Sequence, residues 1–170
     1  MDYASLIRDV PDFPIEGVLF KDITPLIGHG PAYRHVIDGL AERLRPFNAD
    51  VVVGMESRGF IFAAPLAYAL GLGFVPVRRL GKLPADSIRV EYELEYGRNS
   101  FEMHRDAIEP GQRVLIVDDV LATGGTVGAT ISLVEQLGGQ VVAVAFLIEL
   151  KALEGRRHLT GREVVSLLEF

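Results

Sequence analysis

Three short runs constrain this chain most: residues 50–55 (DVVVGM), 113–117 (RVLIV) and 141–148 (VVAVAFLI). Each is β-branched and almost continuously apolar. That is the pattern of a strand covered on both faces, whereas a strand with one wet face alternates. Helical periods lie between them. Tyr33, Val36, Ile37, Leu40 and Leu44 recur at three- and four-residue spacing, the mark of one helix face. Residues 59–70 read as a buried helix and 73–77 as another strand. Residues 126–137 place Val127, Ile131 and Val134 on one helical face, and Gly138-Gly139 ends it. The turn at Glu109-Pro110-Gly111-Gln112 leads into the best strand, and a closing strand is expected near 164–168. Strands alternating with helices through short loops predict an α/β fold with a mainly parallel sheet. Ligands in such sheets sit beyond the carboxyl ends of the strands, so the loops after Met55, Val77 and Val117 are where chemistry is to be sought.

With 170 residues the chain fits a single domain, residues 1–170, and its 49% apolar content fills a sizeable core. No run approaches the roughly 18–20 apolar residues of a membrane span. The start, Met1-Asp2-Tyr3-Ala4-Ser5, lacks the basic and apolar stretches of a secretory signal, so a cytoplasmic protein is expected. There are no cysteines, which removes disulfides, thiolate-held metals and a thiol nucleophile. The net charge of −6 argues against an extended nucleic-acid surface. Basic groups are nevertheless gathered locally, at Arg58, Arg78, Arg79 and Lys82.

One segment breaks the alternation. Apolar Ile88, Val90, Tyr92, Leu94 and Tyr96 alternate with charged Arg89, Glu91, Glu93 and Glu95, and Gly97-Arg98-Asn99-Ser100 looks like a turn. A two-faced hairpin is expected here, lying over the open end of the sheet as a lid, within about residues 81–106.

After the strand Val114-Leu115-Ile116-Val117 come Asp118, Asp119, Val120, Leu121, Ala122, Thr123, Gly124, Gly125 and Thr126, then a helix. Two carboxylates stand at the strand end, and the small-residue loop offers converging N–H groups, two threonine hydroxyls and the positive end of a helix dipole. That loop suits a phosphate monoester. The acids suit sugar hydroxyls, or Mg²⁺ held through water. Together they describe a ribose 5-phosphate site. Competing patterns fail on residues: no G-x-G-x-x-G and no G-x-x-x-x-G-K-[ST] occurs, and Met55 stands where a G-x-S-x-G elbow around Ser57 needs glycine.

Val114 to Thr126 resembles the phosphoribosyl-pyrophosphate signature of the type I phosphoribosyltransferases, a specific thirteen-residue pattern. The resemblance implies the type I phosphoribosyltransferase fold: a mainly parallel five-stranded sheet flanked by helices, a hood segment at about 1–30 and a flexible hairpin lid. It also implies that Asp118 and Asp119 hold the ribose hydroxyls, while Ala122, Thr123, Gly124, Gly125 and Thr126 cradle the 5′-phosphate.

The remainder narrows the family. Residues 11–26, Gly54-Met55-Glu56-Ser57-Arg58-Gly59-Phe60, residues 78–84 and Leu94-Glu95-Tyr96-Gly97 are similar in order and spacing to adenine phosphoribosyltransferases. By that resemblance Glu56, Ser57 and Arg58 form the pyrophosphate loop, with a cis peptide between Glu56 and Ser57, and Lys82 is a second pyrophosphate contact. Leu19, Phe20 and Lys21 form the adenine segment, where backbone groups at Leu19 match the 6-amino donor and N1 acceptor and Phe20 stacks. Glu95 is the expected catalytic base. Arg78 and Arg79 act in the site or across a dimer contact, and Leu80 stands where relatives often carry a basic residue or proline.

The expected substrates are adenine and phosphoribosyl pyrophosphate, and the expected products AMP and pyrophosphate. Mg²⁺ is the cofactor, bound mainly through substrate with no direct protein ligand, and a homodimer is the family expectation. His29, His35, His104 and His158 show no ligand spacing. Two alternatives keep the fold: a transferase for another purine base, and a non-catalytic phosphoribosyl-pyrophosphate-sensing regulator.

Overall fold

The computed structural model describes the backbone of residues 3–94 and 97–170, and the side chains of residues 3–92 and 98–170. Its middle is built from the apolar runs. Strands β3 (Val51–Met55), β4 (Gly73–Arg79), β7 (Arg113–Leu121), β8 (Gln140–Glu149) and β9 (Val164–Glu169) form five parallel neighbours in the order β4-β3-β7-β8-β9. Side chains of successive residues leave opposite faces of a strand. Val52, Leu115, Val117, Ala143, Ala145 and Leu147 accordingly fill one core, with helices α2 (Gly30–Leu44) and α3 (Arg58–Leu70). Val51, Val53, Ile116, Val144 and Phe146 fill the other, against helix α4 (Gly125–Gln136). Phe62 and Leu66 anchor α3 at 0% exposure, and truncating such a phenylalanine to alanine costs about 3–5 kcal/mol.

Two features differ from the sequence expectation. The central strand does not stop at Val117. β7 continues to Leu121, with Asp118 paired to Phe146 and Val120 to Ile148, because ladder hydrogen bonds are indifferent to side-chain polarity. The hairpin, β5 (Ser87–Leu94) and β6 (Gly97–His104), is no separate flap, and Gly97-Arg98-Asn99-Ser100, expected as its turn, are the first residues of β6, paired with β5. It extends the sheet to seven strands, β6 pairing antiparallel with β4 at Arg78↔Glu102 and Arg79↔Phe101. Tyr92 stacks on Phe101 within it, ring centroids 5.1 Å apart.

Near the N-terminus, β1 (Arg8–Pro11) and β2 (Leu19–Asp22) pair antiparallel as a sheet of their own, followed by the short helix α1 (Thr24–Gly28). Among the described residues no helix is long and apolar enough to cross a membrane.

From β3 the chain steps to β4 on one side, and later from β7 to β8 and β9 on the other. The order therefore reverses between β3 and β7. At such a switch point the helices that follow the two strands depart to opposite faces, leaving a crevice at the strands' carboxyl ends.

Candidate active site

The crevice is there. A cleft of about 660 Å³ opens at the ends of β3 and β7, within the size range of small-molecule sites. Leu19, Phe20, Lys21, Glu56, Ser57, Arg58, Asp118, Asp119, Ala122 and Thr126 all line it. Thr123 and Gly124 line an adjoining recess of about 50 Å³ that shares Asp118, Ala122 and Thr126 with the cleft. Gly125 opens α4 between them.

The acid pair sits at the back. Asp119 is 3% exposed, and Asp118 Oδ1 accepts from the Asp119 N–H at 2.9 Å. Burial pushes the Asp118 carboxyl well above the usual carboxylate range, and the neighbouring Asp119 charge adds to it. Helix α3 must pass close by: a Cβ on Gly59 would stand 2.8 Å from Asp118 Oδ1. Arg58 Nε approaches Asp119 Oδ2 to 3.0 Å, yet its N–H is not aligned for a hydrogen bond, so that buried oxygen has a counter-charge without a donor. A buried acceptor lacking a donor favours a ligand that brings one.

The loop after β7 has complementary chemistry. Gly124, the N-cap of α4, lies at φ +90° and supplies no capping side chain. N–H groups of a helix's first turn have no intrahelical partner, and here the recess lies over them. Carboxylates that accept and N–H groups that donate thus stand side by side, which fits a phosphorylated sugar.

On the β3 side, the Glu56–Ser57 peptide is cis. Ser57 stands at the N-cap of α3 without spending its side chain on the cap. Glu56 accepts from Arg78 Nε at 3.1 Å and Nη2 at 3.0 Å, and from the Arg79 backbone N–H. Burial pushes the Glu56 carboxyl up, but these donors outweigh it and hold the group below its ordinary value. Glu56 therefore organises the end of β4 and offers no free face to an anion. Arg78 is occupied by Glu56 and by the Lys82 carbonyl oxygen, 3.3 Å from its Nη1. Arg79 lines the cleft.

Lys82 does not line it. It is exposed beyond the end of β4, in a turn whose Gly81 N–H donates to buried Glu102 at 2.9 Å. Glu95, the sequence choice for the base, lies outside the described residues.

The third wall comes from the N-terminal sheet. Phe20 meets Phe13 edge-on with centroids 5.1 Å apart, and the Arg58 guanidinium carbon lies 5.2 Å from the Phe20 centroid. Lys21 Nζ is paired with Asp9 at 2.7 Å and lies 4.2 Å from the Phe170 ring centroid, which removes its charge from the cleft. Phe13, Val18, Tyr92, Phe101, Val120, Leu150 and Leu153 complete the lining. Sequence reasoning gave none of these seven a site role. For Leu150 and Leu153 the signal was present, because both follow the carboxyl end of β8.

Residues 27–165 match the phosphoribosyl transferase domain family. The chain is 60% identical over 169 residues to the adenine phosphoribosyltransferase of Chloroflexus aurantiacus, covering 99% of this chain and 98% of that one. Its fold superposes on the crystal structure of adenine phosphoribosyltransferase from Thermoanaerobacter pseudethanolicus with a TM-score of 0.97 at 52% identity, covering 99% and 98% of the two chains. The Saccharomyces cerevisiae enzyme, solved with D-2,5-dideoxy-2,5-imino-altritol 1,6-bisphosphate and adenine, gives 0.90 at 41% identity over 96% and 94%. Sequence, fold and the acid pair beside an uncapped helix start agree: the chain belongs to the adenine phosphoribosyltransferases, a family within the phosphoribosyltransferases.

Proposed function

We propose that this protein transfers the 5-phosphoribosyl group of phosphoribosyl pyrophosphate to adenine, forming AMP and pyrophosphate. One observation carries the assignment of roles. The acid pair with its buried Asp119, the uncapped start of α4 and the aromatic segment of β2 converge on a single cleft. A ligand that reaches all three has sugar hydroxyls, a phosphate and a flat base.

In this reading Asp118 and Asp119 accept hydrogen bonds from the ribose hydroxyls. The backbone of residues 122–126, with the Thr123 and Thr126 hydroxyls, donates to the 5′-phosphate. Ser57, the N–H groups beside it and Arg58 face the pyrophosphate, Arg58 supplying a planar fork of donors. Arg79 joins them in place of Arg78, which Glu56 holds. Lys82 reaches the pyrophosphate only if its turn moves inward. Backbone groups at Leu19 read the 6-amino group and N1, Phe20 packs on the purine, and Lys21 supports the segment through Asp9.

The reaction breaks the bond from C1′ to the pyrophosphate oxygen and forms the bond from C1′ to N9, with inversion. The N9 proton passes to a base, for which Glu95 is our choice. An acid pair with an unsatisfied buried oxygen fits the water shell of a divalent cation carried on the substrate. Mg²⁺ on the pyrophosphate supplies charge neutralisation of the leaving group. Positioning and electrostatic stabilisation then provide most of the rate, and the cleft must exclude water. Cytoplasmic location and a homodimer belong to the same reading and rest on the sequence and the family.

The test is direct. The protein is incubated with phosphoribosyl pyrophosphate, Mg²⁺ and one purine at a time, and the nucleotide formed is identified. Adenine should be used at least ~100-fold better than hypoxanthine, because a 6-oxo group also converts N1 to a donor and two reversed hydrogen bonds cost about 1–3 kcal/mol each. Equal use of both bases points to a broader purine enzyme. No product with any base removes the catalytic assignment.

A further inference from the structure

After β8 the chain turns back through residues 150–163 and packs against the loop at residues 122–126. Backbone meets backbone there. A Cβ on Gly155 would collide with the Ala122 carbonyl oxygen and stand 2.9 Å from Leu121 Cδ1. From the other side, a Cβ on Gly124 would stand 2.8 Å from the Gly155 carbonyl oxygen and 3.2 Å from His158 Cβ. Two glycines face each other with no side chain between them. The Leu150 N–H also donates to the Leu121 carbonyl at 2.9 Å, tying the two segments where the loop begins.

The backing segment, a 3₁₀ turn at Gly155–Leu159, has little regular structure of its own to hold it. Leu159 is buried beneath it at 2% exposure. Its polar tether is Arg156. The guanidinium donates from Nε to Glu149 Oε1 at 2.7 Å and Oε2 at 2.9 Å, and from Nη2 to Oε2 at 2.7 Å. Glu149, at the end of β8 and 3% exposed, also accepts from Ser166 Oγ of β9 at 2.9 Å. Arg156 reaches β9 as well, with Nη2 3.1 Å from Ser166 Oγ. One planar fork therefore fixes the turn to two strands of the sheet.

We propose that Arg156 is a positioning residue for the 5′-phosphate: through Gly155 it sets the backbone of residues 122–126, and its loss weakens phosphate-bearing ligands while sparing adenine. The inference rests on assigning that loop to the 5′-phosphate. The adenine segment, β2, belongs to a different sheet and makes no pairing with this turn. Arg156 itself lines neither the cleft nor its recess, so its effect runs through the backbone it holds.

Replacing Arg156 alone leaves Glu149 buried without its partner and risks the fold. Glu149→Gln/Arg156→Met removes the tether without stranding a charge, and Arg156→Lys keeps the charge but loses the fork. Ribose 5-phosphate is titrated calorimetrically into each folded variant, and KM for adenine is measured at saturating phosphoribosyl pyrophosphate. The double variant should raise the ribose 5-phosphate dissociation constant about tenfold, within the range that misplacing binding groups produces. Arg156→Lys should fall between it and the parent, and KM for adenine should hold. Unchanged ribose 5-phosphate affinity in the double variant overturns the proposal, as does an equal loss for adenine, which would make the pair a general brace. Thr126→Ala serves as the separate check on the loop. If it weakens ribose 5-phosphate binding while the double variant does not, only the positioning role falls. If Thr126→Ala has no effect, the phosphate assignment falls and the inference with it.

Discussion

Arg58 stands between the two halves of the cleft, its Nε 3.0 Å from Asp119 Oδ2 and its guanidinium carbon 5.2 Å from the centroid of Phe20. One side chain at the start of α3 thus joins the acid pair of β7 to the aromatic wall of β2. Asp119 is almost fully buried, while the Arg58 side chain is 46% exposed. Water screens the guanidinium from one side, but the carboxylate it faces is buried, so the pair matters to the fold chiefly by not leaving that charge alone. In the proposed binding mode the same group also meets pyrophosphate.

Arg58→Ala should lower thermal stability, because it leaves the buried Asp119 carboxylate without its counter-charge, and should raise KM for both phosphoribosyl pyrophosphate and adenine. Steady-state kinetics with each substrate varied in turn decides this. A rise confined to one substrate would show that Arg58 serves one half of the cleft only.

The acid pair carries a pH dependence of definite sign. Burial, then the Asp119 charge, raises the Asp118 carboxyl in the folded protein above its ordinary value of 3.8. A raised carboxyl favours the protonated form, so the stability linked to it is complete below 3.8 and is lost as pH rises through the folded value. In the proposed binding mode ribose hydroxyls donate to the ionised form, so binding phosphoribosyl pyrophosphate should expel the proton that the pair retains. Calorimetry on the acid side of neutrality, in two buffers of different ionisation enthalpy, should show proton release. It should vanish in Asp118→Asn/Asp119→Asn, which should also fold and bind phosphoribosyl pyrophosphate far more weakly. Undiminished affinity in a folded double variant removes the ribose assignment.

Much of this site is visible in the sequence, and what is hidden is hidden for physical reasons. Continuous apolar runs give the parallel strands because both faces are covered, and the small-residue loop after Asp119 marks the uncapped helix start beside the cleft, the phosphate cradle of our proposal. The last residues of β7 are misread because Asp118 and Asp119 end the apolar run while the ladder goes on. The hairpin is legible from its alternation, but its place at the sheet edge depends on Arg78 and Arg79 pairing with Glu102 and Phe101, a long-range register that no local pattern encodes. The division of labour between Arg78 and Arg79 is likewise tertiary. Neighbouring residues of a strand point to opposite faces, and only the fold shows that Glu56 takes one of them.

Glu56 gives a third expectation. Its donors, Arg78 and the Arg79 N–H, hold its carboxyl below the ordinary value of 4.5 against the opposing effect of burial. The linked stability is present above 4.5 and is lost as pH falls through the lower folded value. Glu56→Gln keeps the shape, removes the charge and releases Arg78. The variant should lose the parent's acid-side fall in melting temperature attributable to this group, and KM for phosphoribosyl pyrophosphate should rise as the end of β4 loosens. A melting profile parallel to the parent's across the acid range would show that the Glu56–Arg78 pair contributes nothing to the fold.

The last expectation concerns the proton on N9. Adenine must lose it as C1′ is captured, and a base near the imidazole edge contributes typically ~10²–10⁴-fold. The hairpin offers Glu91, Glu93 and Glu95 at alternate positions along one strand of sequence, so alternation alone does not rank them. Two observations bear on the hairpin as a whole. It is paired to the end of β4, and Tyr92 and Phe101 from its two strands line the cleft, so its apolar face already borders the cleft. Leu94-Glu95-Tyr96-Gly97 is the stretch similar to the family's catalytic segment, and Glu95 is the choice on that ground. Glu95→Gln should lower kcat by ~10²-fold or more, within the general-base range, with little change in phosphoribosyl-pyrophosphate affinity. Glu91→Gln and Glu93→Gln should stay near the parent. Single-turnover measurements on the three variants decide between them, because they report the chemical step without product release. Equal behaviour of all three means that Glu95 is not the base and that the proton leaves to water.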